Sequence, residues 1–208
     1  MDRIIKQGRE RQKRKTKNTI IIGCEGKNKT EEIYFQNFQK RDNDFIIKFS
    51  YGNDTDPVTM IKRLRKYIKD KGYDLKAGDI AYCVFDTDVN KNKQPQIEEI
   101  LKIAKEEGIE IIMSVPSFEV WYLLHFGYTT KSFVSNRKLI LELKSKIKDY
   151  DKCNNVYDLI KDNTSIAIEN AKKLEKVHIK DGRAVHRIDC NPSTDVYKIV
   201  EYIRTKKK

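Results

Sequence analysis

The sequence predicts an α/β protein, a parallel sheet flanked by helices and followed by a C-terminal helical extension. Three observations carry that expectation. Short β-branched apolar runs recur in the first half of the chain, at 19–24, 79–85 and 109–115, and a run apolar on both faces is what a buried parallel strand needs. Segments with helical spacing lie between them. Gly, Pro and Asp stand at the joints, where they end one element and cap the next.

Thr19-Ile20-Ile21-Ile22-Gly23-Cys24 reads as the first strand, closed by a turn at Glu25-Gly26. Thr30 follows as an N-cap, with Glu31 and Glu32 in the first helical turn and Ile33, Tyr34 or Phe35, and Phe38 on the buried stripe. In 44–51, Phe45, Ile47, Phe49 and Tyr51 alternate with polar residues as in a half-buried strand, and Gly52-Asn53-Asp54 ends it. Asp56-Pro57 opens the next helix, Pro57 near the first helical position, with Met60, Ile61, Leu64, Tyr67 and Ile68 at helical spacing. After a loop at 72–78, the strand 79–85 runs into Asp86-Thr87-Asp88. Pro95 to Glu107 is a helix stopped by Gly108, Ile109 to Val115 a strand, and Phe118 to Phe126 a buried helix. Strand and helix thus alternate four times, the pattern of a sheet covered on both faces.

From Thr129 onward the pattern is helical, at 138–147, 156–160, 165–177 and 193–204, with no internal repeat and no Gly/Ser/Pro linker. Three regions follow: a basic N-terminal arm at 1–17, an α/β domain at 18–128, and a helical extension at 129–208 packed on it.

The 208 residues carry 43 Lys+Arg against 31 Asp+Glu, a net charge of +12. The excess is concentrated in the first 17 residues and in Lys206-Lys207-Lys208. It favours polyanions, because each phosphate neutralised by Lys or Arg releases counterions; it is equally the signature of a lysine-rich solvated surface. No stretch approaches the length of a membrane helix, and no signal-peptide core follows the basic start, so a cytoplasmic protein without membrane contact is expected. Cys24, Cys83, Cys153 and Cys190 form no C-x-x-C pair, which argues against a zinc knuckle or redox dithiol. Free thiols are expected.

In an open α/β sheet, ligands sit outside the carboxyl ends of the strands. Glu25, the pair Asp86 and Asp88, and Ser117/Glu119 each follow a predicted strand, so carboxylates from distant segments converge on one rim. Without a cation they would repel and raise one another's pKa. Hard oxygen ligands of this kind suit Mg²⁺ or Mn²⁺. Asp-x-Asp alone is a weak signal, but in an extended segment residues i and i+2 point the same way, so both carboxylates could reach one site. Gly26-Lys27-Asn28-Lys29-Thr30 lacks the first glycine of a phosphate loop, which argues against a P-loop NTPase. The glycine would still let backbone and lysines approach an anion at the helix start.

These residues resemble a family. Ile20-Ile21-Ile22-Gly23-Cys24-Glu25-Gly26, Thr30-Glu31-x-x-Tyr34-Phe35, Val84-Phe85-Asp86-Thr87-Asp88, Ser114-Val115-Pro116-Ser117-Phe118-Glu119-Val120-Trp121-Tyr122-Leu123-Leu124-His125-Phe126 and Asn191-Pro192-Ser193-Thr194 look, in order, like the RloB-like proteins. The resemblance spans about Lys17 to Arg204, and the block around Trp121 is its most specific part. That family is similar to Toprim nucleases, whose fold is shared with topoisomerases, DnaG-type primases and overcoming-lysogenization-defect nucleases. The resemblance implies a Toprim-like parallel sheet binding Mg²⁺ for phosphodiester chemistry, with Glu25 as the Toprim glutamate and Asp86 and Asp88 as the aspartate pair. Glu31 and Glu119 take the places of further acidic residues. It also implies an ATPase partner of the AAA or ABC type encoded nearby, a role in restriction or abortive phage defence, and a nucleic-acid substrate, DNA or RNA, in some relatives tRNA.

The expected activity is a Mg²⁺-dependent nuclease, with Glu25, Glu31, Asp86 and Asp88 as metal ligands, Glu119 assisting, and Lys27 or Lys29 meeting the phosphate. One rival is a non-catalytic scaffold for nucleic acid or an ATPase; another is a nucleotidyl transferase, for which no triphosphate pocket is visible. Plainer roles stand beside these. Glu31 and Glu32 would complement a helix dipole, and Trp121, Leu123, Leu124 and Phe126 would be core. His125 would be structural. His178 and His186 have no visible acidic partner.

Overall fold

The computed structural model describes residues 17–26 and 30–206, and strand and helix alternate through the first half of the chain. The elements are β1 (Asn18–Gly23), α1 (Thr30–Gln36), β2 (Phe45–Ser50), α2 (Pro57–Lys71), β3 (Ile80–Asp86), α3 (Gln94–Glu107), β4 (Ile109–Val115) and α4 (Glu119–Leu124). There follow α5 (Asn136–Lys144), α6 (Tyr157–Ile160), α7 (Thr164–Lys180), β5 (Ser193–Thr194) and α8 (Val196–Lys206). The boundary signals at Asp56, Gly72 and Gly108 act as expected, whereas Thr30, expected as an N-cap, is the first residue of α1. Asp56 accepts from Thr59 N–H at 2.8 Å ahead of Pro57, and Gly72 and Gly108 close α2 and α3 with φ of 69° and 68°.

The sheet has five strands in the order β2-β1-β3-β4-β5, and the first four are parallel. The chain leaves β1 toward β2 on one side, and α2 then carries it back past β1 to β3 on the other. Because such crossovers are right-handed, this reversal puts α1 and α2 on opposite faces of the sheet. Alternate strand residues serve each face. Ile20, Ile22, Tyr82 and Val84 pack with Tyr34, Phe35, Trp121 and the helices of the extension. Ile21, Ala81, Cys83 and Phe85 pack with Met60, Leu64, Ile97 and Ile100 of α2 and α3.

Two expectations for the second half need correction. The helix foreseen at 193–204 begins at Val196; Ser193 and Thr194 instead form β5, antiparallel to β4 with Ser114 opposite Thr194. A two-residue strand leaves no periodicity to read. Phe126, foreseen in the core, is 38% exposed, because α4 ends at Leu124. Among the described residues no helix is long and apolar enough to cross a membrane.

The loops after β1 and β2 touch beside the carboxyl edge. A Cβ on Gly26 would lie 1.3 Å from the Gly52 carbonyl oxygen, and one on Gly52 would lie 1.8 Å from Arg63 Nη1. Arg63 fastens the two loops by donating to the Cys24 carbonyl at 3.0 Å and pairing with Asp54. Gly26→Ala should therefore destabilise the protein by about 1–3 kcal/mol, read from the denaturant midpoint. Unchanged stability would mean that the loops part freely.

Candidate carboxylate site

The shared direction of β1, β3 and β4 brings their carboxyl ends to one edge, and the reversal of the chain makes the gap between β1 and β3 the crevice where open α/β sheets bind ligands. Glu25 and Asp86 flank that gap. Glu25 follows β1 by two residues and Asp86 ends β3; the Asp86 N–H donates to Glu25 Oε1 at 3.4 Å. Glu31 enters from the first turn of α1 and Glu119 from the start of α4, both buried. Of the seven residues expected from the sequence, these four, Glu25, Glu31, Asp86 and Glu119, come together. Lys27 and Lys29 lie outside the described residues, as do residues 1–16 of the basic arm and Lys207 and Lys208.

Asp88 departs from the reason given for it. β3 ends at Asp86 and Asp88 has φ of 53°, so the extended i, i+2 geometry is lost. Thr87 N–H donates to the Ser114 carbonyl at 3.1 Å and Asp88 N–H to the Pro116 carbonyl at 3.0 Å, which bends the segment over β4. The Asp88 carboxylate pairs with Lys93 at 2.9 Å and accepts from Asn136. It stays within electrostatic reach of Glu25.

Crowding of acids in a buried place has the expected electrostatic result. Burial pushes Asp86 well above the carboxylate range, and Glu31, Glu119 and Glu25 push it further. Burial raises Glu31 to about 8, with Glu119 and Glu25 adding to the rise. Glu25 is raised by burial and by Asp88, against the pull of Lys93. Two oxygens on side chains over nine-tenths buried, Glu31 Oε2 and Asp86 Oδ1, have no hydrogen-bond partner among the described residues.

Glu119 is the satisfied member. Ser117 O–H donates to Oε2 at 2.5 Å, Tyr150 O–H donates to Oε1 at 3.3 Å, and Lys152 Nζ stands 3.6 Å from Oε1. Burial alone would lower the Lys152 ammonium, but Glu119, Asp86 and Glu31 raise it above its ordinary value. Beside Glu25, a cleft of about 210 Å³ is lined by Glu32, Tyr51 and Asn53.

The sequence reading missed Tyr150, Lys152, Lys93 and Asn136. Lys152 sits in a polar loop and looks like any other surface lysine; nothing local marks it. Ser117-x-Glu119 was the readable fragment. His125 is structural: buried, its Nδ1 lies 2.8 Å from the Trp121 carbonyl oxygen, and burial lowers it to about 4, so it is neutral. His186 does have an acidic partner, Asp195 at 3.1 Å, which the sequence did not show because β5 brings it near.

The donor set is all oxygen, and its two buried oxygens without a partner among the described residues belong to acids within electrostatic reach of one another, Glu25 and Glu119; that chemistry fits a hard divalent cation. Among the described residues, no three His, Cys, Asp or Glu side chains are gathered tightly enough to hold a metal ion as they stand.

Fold and rim define a class: a mostly parallel α/β protein with an acidic crevice at the strand reversal. The family model described as "RloB-like protein" matches residues 20–203, and the chain belongs to that family. No curated protein and no solved structure matches it.

Glu31 supplies a test that needs no ligand. A carboxyl raised in the folded state holds its proton more tightly there than in the unfolded chain, so stability is full below the ordinary value near 4.5 and is lost as pH rises through about 8. In chelator-treated buffer, Glu31→Gln should flatten this slope, melting several degrees above wild type at pH 8.5 and close to it at pH 5. Parallel melting curves for the two proteins across that range would contradict the burial of Glu31 among acids.

Proposed function

We propose that this protein is a Mg²⁺- or Mn²⁺-dependent nuclease that hydrolyses phosphodiester bonds. The observation that carries the reading is the pair of buried oxygens, Glu31 Oε2 and Asp86 Oδ1, that have no partner among the described residues and lie within electrostatic reach of Glu25 and Glu119. Membership of the RloB-like family supports it, through the resemblance of that family to Toprim nucleases. Glu25, Glu31 and Asp86 would hold the ion, with Glu119 and Asp88 beside them. Bound Mg²⁺ or Mn²⁺ supplies Lewis acidity toward a phosphoryl oxygen and a lowered pKa for water. Ser117 and Tyr150 fix the Glu119 carboxylate in one orientation by donating to its two oxygens. Burial of Asp86 and Glu119 would keep bulk water from screening their attraction to a bound ion.

The substrate would be nucleic acid, DNA or RNA including tRNA, drawn by the net charge of +12 and excluded from the acidic rim until a cation is present. Under the same reading the protein acts in the cytoplasm as an effector of phage defence with an ATPase partner of the AAA or ABC type. A second reading, a non-catalytic subunit that binds nucleic acid or the ATPase, draws on Lys152, which already neutralises part of the rim.

Cleavage of a panel of single- and double-stranded DNA, RNA and tRNA in Mn²⁺ tests the proposal. Wild type should cut at least one substrate, and Asp86→Asn or Glu119→Gln should lower the rate about 100-fold or more. Binding without cleavage by wild type, expressed with and without its genomic neighbour, would favour the scaffold; undiminished cleavage by both variants would refute the site.

A further inference from the structure

The acidic rim contains a cation of its own. Lys152 stands in the loop between α5 and α6, where Asp149 and Cys153 take left-handed φ of 55° and 74°. Its Nζ is 3.6 Å from Glu119 Oε1 and its side chain is 27% exposed. The loop is tied to the rim on either side of it, by Tyr150 O–H donating to Glu119 at 3.3 Å and by Cys153 N–H donating to Thr30 Oγ1 at 3.5 Å. The charge of Lys152 is felt by Glu25, Glu31, Asp86 and Asp88 as well. Yet an ammonium is a compact point charge with three protons. It pairs with Glu119 and, among the described residues, leaves Glu31 Oε2 and Asp86 Oδ1 without hydrogen-bond partners. Charge is partly balanced; the oxygens are not. A divalent ion, which takes oxygen ligands from several directions at once, would meet both needs.

We propose that Lys152 is a resident counter-ion, holding the rim together in the free protein and yielding its place when a divalent cation enters. The inference rests on the reading of the rim as a metal-dependent centre. The long aliphatic stem and partial exposure of Lys152 give it a way out into solvent without moving the loop. Because Lys152 belongs to the C-terminal extension, that extension would set the ion affinity of a rim whose carboxylates all come from the strand ends and the helices that follow them. The free protein would stay folded and closed to metal at low concentration, and open to it only where the ion outcompetes a tethered ammonium.

Calorimetric titration of Mn²⁺ into the full chain tests this in wild type, Lys152→Met and Lys152→Arg, with melting curves taken with and without the ion. Removing the tethered charge should tighten Mn²⁺ at least about tenfold, lower the melting temperature in its absence, and make the gain in melting temperature on adding Mn²⁺ larger than in wild type. Arg keeps the charge and pairs carboxylates through a planar fork, so Lys152→Arg should weaken Mn²⁺ about threefold or more, and it serves if the Met variant fails to fold. Mn²⁺ binding that is unchanged or weaker in Lys152→Met, or unchanged in Lys152→Arg, would overturn the counter-ion role while leaving the metal reading intact. No Mn²⁺ binding by any of the three would overturn both.

Discussion

Carboxylates brought together out of water must be compensated, and the rest of this molecule is arranged around that requirement. Burying even one ionised carboxylate carries an effective penalty of several kcal/mol unless protons, cations or hydrogen bonds offset it. Here four are drawn to one edge. The protein meets part of the demand locally: hydroxyls from Ser117 and Tyr150 and the ammonium of Lys152 serve Glu119. Glu31 and Asp86 retain protons well above the usual carboxylate range. The remainder is the pair of oxygens left without a partner among the described residues, and under the proposed function that deficit is what a divalent ion removes.

The scaffold produces this concentration of charge through topology. A parallel sheet gives every strand the same exit edge, and the reversal between β2 and β3 opens a gap there that Glu25 and Asp86 flank. The glycine contact joins the loops after β1 and β2 next to Glu25, and Arg63 ties both loops. The extension reaches the same acids through the loop bearing Tyr150 and Lys152 and through Asn136 donating to Asp88. Residues 129–206 therefore do more than cover a face of the sheet: they contribute a strand and part of the lining of the site.

Much of the fold was legible because the physics was local. Apolar β-branched runs, Asp56-Pro57, Gly72 and Gly108 mark their elements through propensity and capping, and those elements form within a residue or so of where they were expected. Carboxylates following strand ends were legible too, since parallel topology converts that position in sequence into a shared place in space. What was lost is what depends on distant partners. β5 exists only by pairing with β4. The turn at Asp88 is imposed by hydrogen bonds to the Ser114 and Pro116 carbonyls, which no reading of Asp86-Thr87-Asp88 could supply. Lys152 carries no local mark among 43 basic residues, and its importance comes wholly from the acids it faces.

The central claim is that acidic side chains from separate segments form one centre for a divalent ion between the ends of β1 and β3. Anomalous diffraction from crystals soaked in Mn²⁺ tests it most directly. The account predicts a manganese peak in the crevice, coordinated by carboxylate oxygens that include Asp86. Crystals whose anomalous signal is absent from the crevice, or lies only at exposed surface carboxylates, would contradict it.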